Sequence, residues 1–293
     1  MNLIIIMKII LVSTGNLQEY IIDNIQNLKL FGNNDIAVIT EKPFFNKLKD
    51  LDITLIDSAE LDDYNFNNKS KLNKHFRNGF WHLCSLRFFY LYSYIKKNQL
   101  TDCIHLENDV MSYINFDKLK TCFKHNKVYA TFDSDTRVIP SILYIPNCEA
   151  FKPIVDNYNE QINDMENLAR FDETVIEPFP IYSNHENINK FNKNFDDFHC
   201  VFDGAAIGQY LGGIDPRNKH GDTRGFINET CIIKYNNNVF FWVLEDGLHC
   251  PYIFINNHLI KVINLHIHSK NLNNFMSNNP KEELLIKKIT NNK

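Results

Sequence analysis

The sequence lacks an excess of charge of either sign. Its 293 residues carry 31 Lys and Arg against 35 Asp and Glu, so the formal net charge is −4 at pH 7. A nucleic-acid-binding protein usually presents a basic stripe to the phosphate backbone, and no such stripe occurs in this sequence. The charge balance therefore argues against nucleic acid as a partner.

Cysteine pairs at metal-binding or redox spacing are also missing. The seven cysteines are scattered along the chain and form no CxxC pair. An odd, dispersed set is typical of reduced thiols in a cytosol-like compartment, and it supports neither a disulfide framework nor a zinc site.

The chain has no hydrophobic run long enough to span a bilayer. The opening segment MNLIIIMKIILVSTGN is short, is interrupted by Lys8 and is not followed by a small-residue cleavage site. We interpret it as a buried first strand and expect a cytoplasmic protein without a signal peptide or transmembrane helix. No long Pro/Gly/Ser linker divides the chain, and 44% of its residues are hydrophobic, so we expect one domain with a substantial core.

The fingerprints of several common enzyme folds are absent. The sequence contains no GxGxxG, no GxxxxGK[ST], no GxSxG and no HExxH. What it does contain is an alternation of β-rich and helical stretches, which predicts an α/β fold with a parallel sheet whose carboxyl edge holds the ligand. The predicted strands are Lys8–Val12, Ile36–Thr40, Ile53–Ile56, Asp102–Leu106, Val128–Phe132, Ser141–Ile145, Val239–Leu244, Tyr252–Ile255 and Lys261–His268. The predicted helices are Leu17–Leu30, Phe80–Asn98 and Phe151–Asn167, and the polar tail after residue 270 is expected to wrap the surface.

The strongest local signal is the segment HLEND, residues 105–109. If this segment is extended, Glu107 and Asp109 project to one face just after an apolar strand. Two carboxylates in that position suit a hard divalent cation or a ribose hydroxyl. The alternative is a solvated turn in which Asn108 is the turn former.

A second signal lies near the C-terminus, in the segment NLHIHSK. Strand periodicity places His266, His268 and Lys270 on one face. Imidazole can complete a Mn²⁺ shell and an ammonium can hold a phosphate oxygen, although at least one of the histidines is expected to pack or to support a ligand indirectly. A third segment, FDGAAIGQYLGG, places Asp203 before small residues that allow close approach of a ligand or backbone, or where a simple helix cap would lie.

Five blocks in this order make the sequence resemble a known enzyme class. LRFFYLYSYI, IHLENDV, FDGAAIGQYLGGIDPR, GFINE at Gly225–Glu229 and NLHIHSKNL are similar to GT-A-type glycosyltransferases with a nucleotide-sugar donor. The resemblance is to a viral and bacterial group with a DXD-like Glu-Asn-Asp motif. It implies a GT-A-like, Rossmann-like fold, with a mostly parallel central sheet flanked by helices. The implied divisions are a nucleotide-sugar-binding half at residues 1–112, an acceptor half at 113–270 and a tail at 271–293.

The resemblance also implies roles for individual residues. Asp109 and His268 are the expected ligands of Mn²⁺ or Mg²⁺. Glu107 is a further ligand or a contact to ribose or to an outer-sphere water, because Glu-Asn-Asp is not a strict Asp-x-Asp. Asp203 is the expected catalytic base if the reaction inverts the anomeric centre, with Glu245 and Asp246 as rivals. The implied contacts to the nucleotide sugar are Thr14 and Glu41 near base and ribose, Asn108, Arg87 at the phosphates or sugar, Lys270 at the diphosphate, and Asp203 with Gln209 at the sugar hydroxyls.

The expected partners are a nucleotide-sugar donor, with a UDP-sugar favoured, and a glycan or other hydroxyl acceptor. A non-catalytic nucleotide-sugar-binding relative is an alternative, but the presence of both Asp109 and His268 argues against it. Another alternative is a sugar nucleotidyltransferase. Such enzymes open with a Gly- and Arg-rich loop after the first strand, where this chain has STGNLQEY.

Overall fold

The structure is a computed structural model that describes residues 6–182, 189–218, 235, 238–281 and 285–288. Along these residues the strands are β1 (Lys8–Ser13), β2 (Ile36–Thr40), β3 (Thr54–Asp57), β4 (Cys103–Leu106), β5 (Val110–Ser112), β6 (Val128–Ser134), β7 (Arg137–Ile145), β8 (Ile176–Pro178), β9 (Val239–Glu245), β10 (Leu248–Ile255), β11 (His258–Lys261), β12 (Asn264–His266) and β13 (Leu285–Lys288). The α-helices are α1 (Ile21–Leu30), α2 (Phe45–Leu48), α3 (Phe66–Lys69), α4 (Phe80–Lys97), α5 (Cys148–Asp156), α6 (Asp164–Ala169), α7 (Asn189–Asn192), α8 (Phe195–Phe198) and α9 (Ala206–Gly212).

A seven-stranded sheet forms the centre of the molecule, in the order β3-β2-β1-β4-β7-β6-β8. Strands β3, β2, β1 and β4 run parallel to one another, and β8 runs parallel to β6. Strand β7 is antiparallel to both of its neighbours. The predicted fold class, α/β with a mostly parallel central sheet flanked by helices, is confirmed.

Helices cover both faces of this sheet because its strands are apolar on both sides. In β1, Ile9 and Leu11 pack in one core cluster with α1, whereas Ile10 packs in the other with the aromatic helix α4. Successive strand residues point to opposite faces, so one strand supplies side chains to both clusters. The aromatic-rich sequence of α4 is buried along most of its length, which its heavy use of Phe and Tyr predicts.

The strand order reverses at β1. The chain leaves β1 toward β2 on one side, and later returns to place β4 on the other side. In open α/β sheets, ligands bind in the crevice outside the carboxyl ends of the strands at such a switch point. The segments that follow β1 and β4 are therefore the expected walls of a site.

The C-terminal part differs from the sequence-based prediction in two places. The predicted strand Lys261–His268 is divided, because β11 pairs with β10 while β12 pairs with β5. The tail does not only wrap the surface, since β13 adds a strand to the antiparallel sheet β11-β10-β9-β13. The predicted helix Phe151–Asn167 is also two helices, α5 and α6.

Two other sequence-based expectations are not decided by the fold. The division into halves at residue 112 stays a prediction, and the block Gly225–Glu229 lies outside the described residues. Within the described ranges, none of the helices combines the length and apolarity that crossing a bilayer requires.

His105, in the centre of β4, makes folding stability depend on pH. It is buried, and its Nδ1–H donates to the carbonyl oxygen of Ile10 at 2.9 Å. Burial, helped by the nearby positive charge of Arg87, lowers the pKa of His105 to about 3. A histidine with a folded pKa below its unfolded value of about 6.5 contributes stability that is present above pH 6.5 and is lost as pH falls toward 3.

We therefore expect His105→Gln, which does not titrate, to flatten the pH dependence of stability. Between pH 7 and pH 5 the free energy of unfolding should fall by about 2 kcal/mol less in this variant than in the wild type. Urea titrations at the two pH values measure the difference. The matched control is His258→Gln on the exposed strand β11, which should behave as the wild type does. Equal pH dependence in wild type and His105→Gln would contradict the assignment.

Candidate active site

A cavity of about 820 Å³ opens at the carboxyl ends of β1 and β4. Its walls are the turn after β1, the acidic turn after β4, the first half of α4, the start of α6, part of α9 and the residues from His266 to Lys270. This is the switch point of the sheet, where the topology predicts a ligand site.

The acidic segment is a buried turn. Strand β4 ends at Leu106, and the Val110 backbone N–H donates to the Glu107 carbonyl at 3.1 Å. Asn108 and Asp109 are buried, and Glu107 is only partly exposed. The segment is thus a turn, as the alternative interpretation held, but it is not a solvated one, and both of its carboxylates lie at the cavity.

The pairing of β12 with β5 brings the C-terminal segment to this turn. His266 lies opposite Val110, so its imidazole reaches the acidic turn. The His266 Nε2 atom lies 3.3 Å from a carboxylate oxygen of Glu107 and 3.3 Å from one of Asp109. Its Nδ1–H donates to the Gly204 carbonyl at 2.7 Å, which directs Nε2 toward the carboxylates.

The three groups set one another's protonation. Burial disfavours a charged imidazole, but the carboxylates of Asp109 and Glu107 outweigh burial and raise the pKa of His266 to about 9. Burial likewise opposes ionisation of Asp109, yet Lys270 and His266 hold the pKa of that carboxyl well below its usual range. In Glu107 the burial effect is outweighed by Arg87 and His266, which lower its pKa. At neutral pH the site therefore holds two carboxylates and an imidazolium.

These residues have the donor set of a divalent-metal site. Glu107, Asp109 and His266 each offer a ligand atom, and these atoms lie within 4.8 Å of one another. Carboxylate oxygens with one imidazole nitrogen suit Mn²⁺, and oxygen ligands suit Mg²⁺. A metal ligand must be deprotonated, so binding through His266 would release the proton that the imidazole carries.

His268, the predicted metal ligand, lines the cavity beside His266 but does not belong to the group of possible metal ligands found among the described residues. The two imidazole rings lie side by side, with their centroids 4.1 Å apart, so they share one face of the segment as predicted. The ring whose Nε2 atom lies beside both carboxylates is nevertheless that of His266. The His268 Nε2 atom lies 3.3 Å from the Gln209 side-chain nitrogen, and burial keeps the pKa of His268 well below its usual range.

Two cations hold the carboxylates in place. Lys270 Nζ donates to Asp109, and Arg87 donates to Glu107 through one nitrogen and to Asp164 at 2.6 Å through another. Both Arg87 and Asp164 are buried, so this bridge is shielded from water. Arg87 therefore contacts a carboxylate of the acidic turn, where the resemblance implied a contact to phosphate or sugar.

Of the two predicted nucleoside contacts that follow β1 and β2, one lines the cavity and the other supports it from behind the turn. Thr14 lines the cavity, as the expected nucleoside contact requires. Glu41 does not line it, and its carboxylate accepts a hydrogen bond from the Gly15 backbone N–H at 2.6 Å, which fixes the turn that carries Thr14. Asn108 ties the acidic turn to the same region by donating to Gln18 Oε1 at 2.7 Å.

The carboxylate of Asp203 is bound by backbone N–H groups next to the cavity. Asp203 does not line the cavity, and its carboxylate accepts hydrogen bonds from the backbone N–H groups of Ile207, Gly208 and His266 at 2.7–2.9 Å. These bonds tie the start of α9 to β12 and fix the backbone of His266. The position of Asp203 thus matches the helix-cap interpretation and differs from that of a base facing substrate.

The two alternative candidates for the catalytic base, Glu245 and Asp246, also lie outside the cavity lining. Glu245 accepts hydrogen bonds from Tyr252 at 2.5 Å and from Lys261 at 2.7 Å in the second sheet. Among the described residues, the lining carboxylates outside the acidic turn are instead Asp164 and Asp215, which the sequence analysis missed. Asp215 stands in the block FDGAAIGQYLGGIDPR, which could have suggested it, whereas Asp164 stands in no block that the sequence analysis singled out.

The two histidines make a direct test of the geometry. We expect His266→Ala to weaken Mn²⁺ binding at constant UDP by more than about 100-fold, because even residues that only support a ligand often contribute 10- to 100-fold. His268→Ala should cost about tenfold or less. Calorimetric Mn²⁺ titrations of both variants measure the order, and a larger loss in His268→Ala would restore the sequence-based assignment.

Comparisons with known proteins give similarity of structure alone. A scan against protein-family models finds no match, and a search of curated protein sequences finds none. Among solved structures, the chain is similar to mouse xyloside xylosyltransferase 1, with 10% identity and a TM-score of 0.39 over 57% of this chain and 80% of that one.

Two further structures show the range of the similarity. The glycosyltransferase GlyE of Streptococcus pneumoniae TIGR4 is 11% identical, with a TM-score of 0.40 over 58% of this chain, which spans only 44% of GlyE. A cytidylyltransferase from Leptospira borgpetersenii is 10% identical, with a TM-score of 0.33 over 52% of this chain and 66% of that one. The neighbours thus include glycosyltransferases, the class that the resemblance named, and the function is argued below from the site alone.

Proposed function

We propose that this protein is a metal-dependent glycosyltransferase that moves a sugar from a nucleotide-diphosphate sugar, most simply a UDP-sugar, to a hydroxyl group of a glycan or other acceptor. One observation carries the proposal. Two carboxylates, an imidazole and an ammonium group meet in one large cavity at the switch point of the sheet. This is the set of groups needed to hold a diphosphate through a divalent cation.

The donor fits along the cavity from the sheet edge outward. The turn from Ser13 to Gln18 offers backbone and small polar side chains to a nucleoside. The diphosphate then lies near the acidic turn and Lys270. The sugar reaches the part of the cavity lined by Arg137, Asp164 and Gln209.

Glycosyl transfer leaves a diphosphate whose negative charge grows as the bond to the sugar breaks. A bound divalent metal would neutralise part of that charge as a Lewis acid. Glu107, Asp109 and His266 would hold the metal, and Lys270 would donate a hydrogen bond to a phosphate oxygen. Arg87 holds Glu107 in position from the protein side.

An acceptor hydroxyl must lose a proton during transfer. Among the described residues that line the cavity, Asp164 is a carboxylate outside the acidic turn, and burial raises its pKa. Its Oδ1 atom has no hydrogen-bond partner, whereas its Oδ2 atom is bound to Arg87. We therefore place the candidate proton acceptor at Asp164 in preference to Asp203.

A donor screen tests the function. The protein is incubated with Mn²⁺ and UDP-, GDP- or dTDP-sugars, and binding is followed by calorimetry while release of nucleoside diphosphate is followed by chromatography. We expect one donor class to bind and to be hydrolysed slowly without acceptor. Binding without release in any acceptor mixture would support a non-catalytic relative. Formation of a nucleotide sugar and pyrophosphate from a nucleoside triphosphate and a sugar phosphate would instead identify a nucleotidyltransferase.

A further inference from the structure

We propose that the ammonium group of Lys270 competes with a divalent metal ion for Asp109, so that metal and nucleoside diphosphate bind cooperatively. In this arrangement Lys270 neutralises Asp109 until a diphosphate offers it a better partner. Asp109 is then free to bind the metal. The inference rests on the proposed function, because it takes a nucleoside diphosphate as the second ligand.

The competition follows from the use of a single oxygen atom. Asp109 Oδ2 accepts a hydrogen bond from Lys270 Nζ and lies 3.3 Å from His266 Nε2. Asp109 is also one of the three residues whose ligand atoms lie within 4.8 Å of one another. A divalent cation at this place would therefore meet the lysine ammonium at close range. Like charges at that distance repel, so the ammonium has to move before the metal binds tightly.

The backbone of Lys270 lies in a tight turn just after β12. Its φ is +66°, a left-handed conformation that favours glycine. The turn is closed by a hydrogen bond from the Lys270 N–H to the Ile267 carbonyl at 3.0 Å. This turn directs the Lys270 ammonium to Asp109.

Lys270 is freer to move than Arg87, which also contacts the acidic turn. Arg87 is held by two carboxylates and is 8% exposed in its side chain. The described contacts of Lys270 are the carboxylate of Asp109 and the face of the Tyr20 ring, 5.8 Å from the ammonium, and 22% of the lysine side chain is exposed. Its four-carbon stem can rotate without disturbing the sheet.

A diphosphate is a stronger partner for the ammonium than one carboxylate. It carries more negative charge and more acceptor oxygens, so charge-assisted hydrogen bonds to Lys270 become favourable. Once Lys270 turns to the phosphate, Asp109 loses one of its two cationic partners and attracts the metal, while the proton on His266, its other partner, is released when the metal binds. Coupling between two ligands is reciprocal, so the metal must raise the affinity for the diphosphate by the same factor.

Calorimetry with Mn²⁺ and UDP tests the inference. For the wild type we expect UDP to strengthen Mn²⁺ binding by about tenfold or more. In Lys270→Met, Mn²⁺ alone should bind about tenfold more tightly than to the wild type, and the effect of UDP on Mn²⁺ affinity should shrink to the part that direct contact between metal and diphosphate supplies. Lys270→Gly removes the same charge and relieves the left-handed strain, so it provides a second variant if the first folds poorly.

The matched control is Lys152→Met. Lys152 also pairs with a single aspartate, Asp156, but it lies on the exposed side of α5 outside the cavity lining. This variant should bind Mn²⁺ and UDP as the wild type does. Unchanged or weaker binding of Mn²⁺ alone in folded Lys270→Met and Lys270→Gly would overturn the inference.

The Mn²⁺ titration without UDP separates this inference from the proposed function. It uses no nucleotide, so tighter Mn²⁺ binding in the Lys270 variants would support the competition even if the donor screen found no nucleotide sugar. If a donor binds and is hydrolysed while the Mn²⁺ affinities of wild type and variants are equal, the function stands and the competition is overturned.

Discussion

Asp109→Ala is expected to abolish the effect of metal on UDP binding. The variant loses a carboxylate that belongs to the candidate metal group and that also accepts the hydrogen bond from Lys270. Removal of a direct oxygen ligand should weaken Mn²⁺ binding by more than about 100-fold, because residues that only support a ligand already contribute 10- to 100-fold. The UDP affinity of the variant should then be the same with Mn²⁺ and with EDTA.

Calorimetry of UDP binding, with Mn²⁺ and with EDTA, measures this effect. Asp156→Ala is the matched control, because Asp156 is an exposed aspartate that pairs with Lys152 at a distance from the cavity. It should retain the full response to metal. If Asp109→Ala responds to Mn²⁺ as the wild type does, the metal site lies elsewhere.

Gly208→Ala is expected to cause a large loss of stability and to displace His266. An added Cβ at residue 208 would lie 1.9 Å from the carbonyl oxygen of His266 and 2.5 Å from its carbonyl carbon. Both are backbone atoms of a paired strand, so no flexible side chain can move aside. Overpacking of a core typically costs about 1–3 kcal/mol, and a loss of about 3 kcal/mol is expected here because relief would require α9 to move away from β12.

Urea unfolding and Mn²⁺ titration of the same preparation check both parts of this prediction. Gly212→Ala, in the last position of the same helix, is the control. Its Cβ would meet the Phe275 ring at 3.3 Å, a side chain that can shift slightly, so the variant should lose little stability and keep its metal affinity. Near-wild-type stability of Gly208→Ala would mean that α9 and β12 are not packed as described.

The first half of the fold follows closely from local sequence patterns. Strand β2 has the predicted bounds, β1 and α4 each differ from the prediction by a single residue at one end, and the switch-point cavity lies where the strand rhythm placed the ligand. These elements are predictable because each is a continuous apolar run or a helical period that neighbouring residues determine. The predictions become poorer after residue 147, where helices are short and polar segments separate them.

The candidate site could be predicted only in part, because some of its contacts are local and others join distant parts of the chain. Glu107 and Asp109 are two residues apart, so local geometry already places them near each other. Which of His266 and His268 lies beside the carboxylates depends on the register of β12 against β5, more than 150 residues earlier in the chain. Strand periodicity alone places both histidines on the same face and does not distinguish them.

Periodicity and composition are enough to predict the α/β class, the position of the ligand edge and the chemical types available there. Which of these groups come into contact depends on the tertiary structure. It placed His266 on the two carboxylates, set Arg87 between Glu107 and Asp164, and assigned the carboxylate of Asp203 to three backbone N–H groups. Each of these contacts joins segments far apart in the chain or depends on how a helix starts, and buried polar groups take whichever partners the packing leaves within reach.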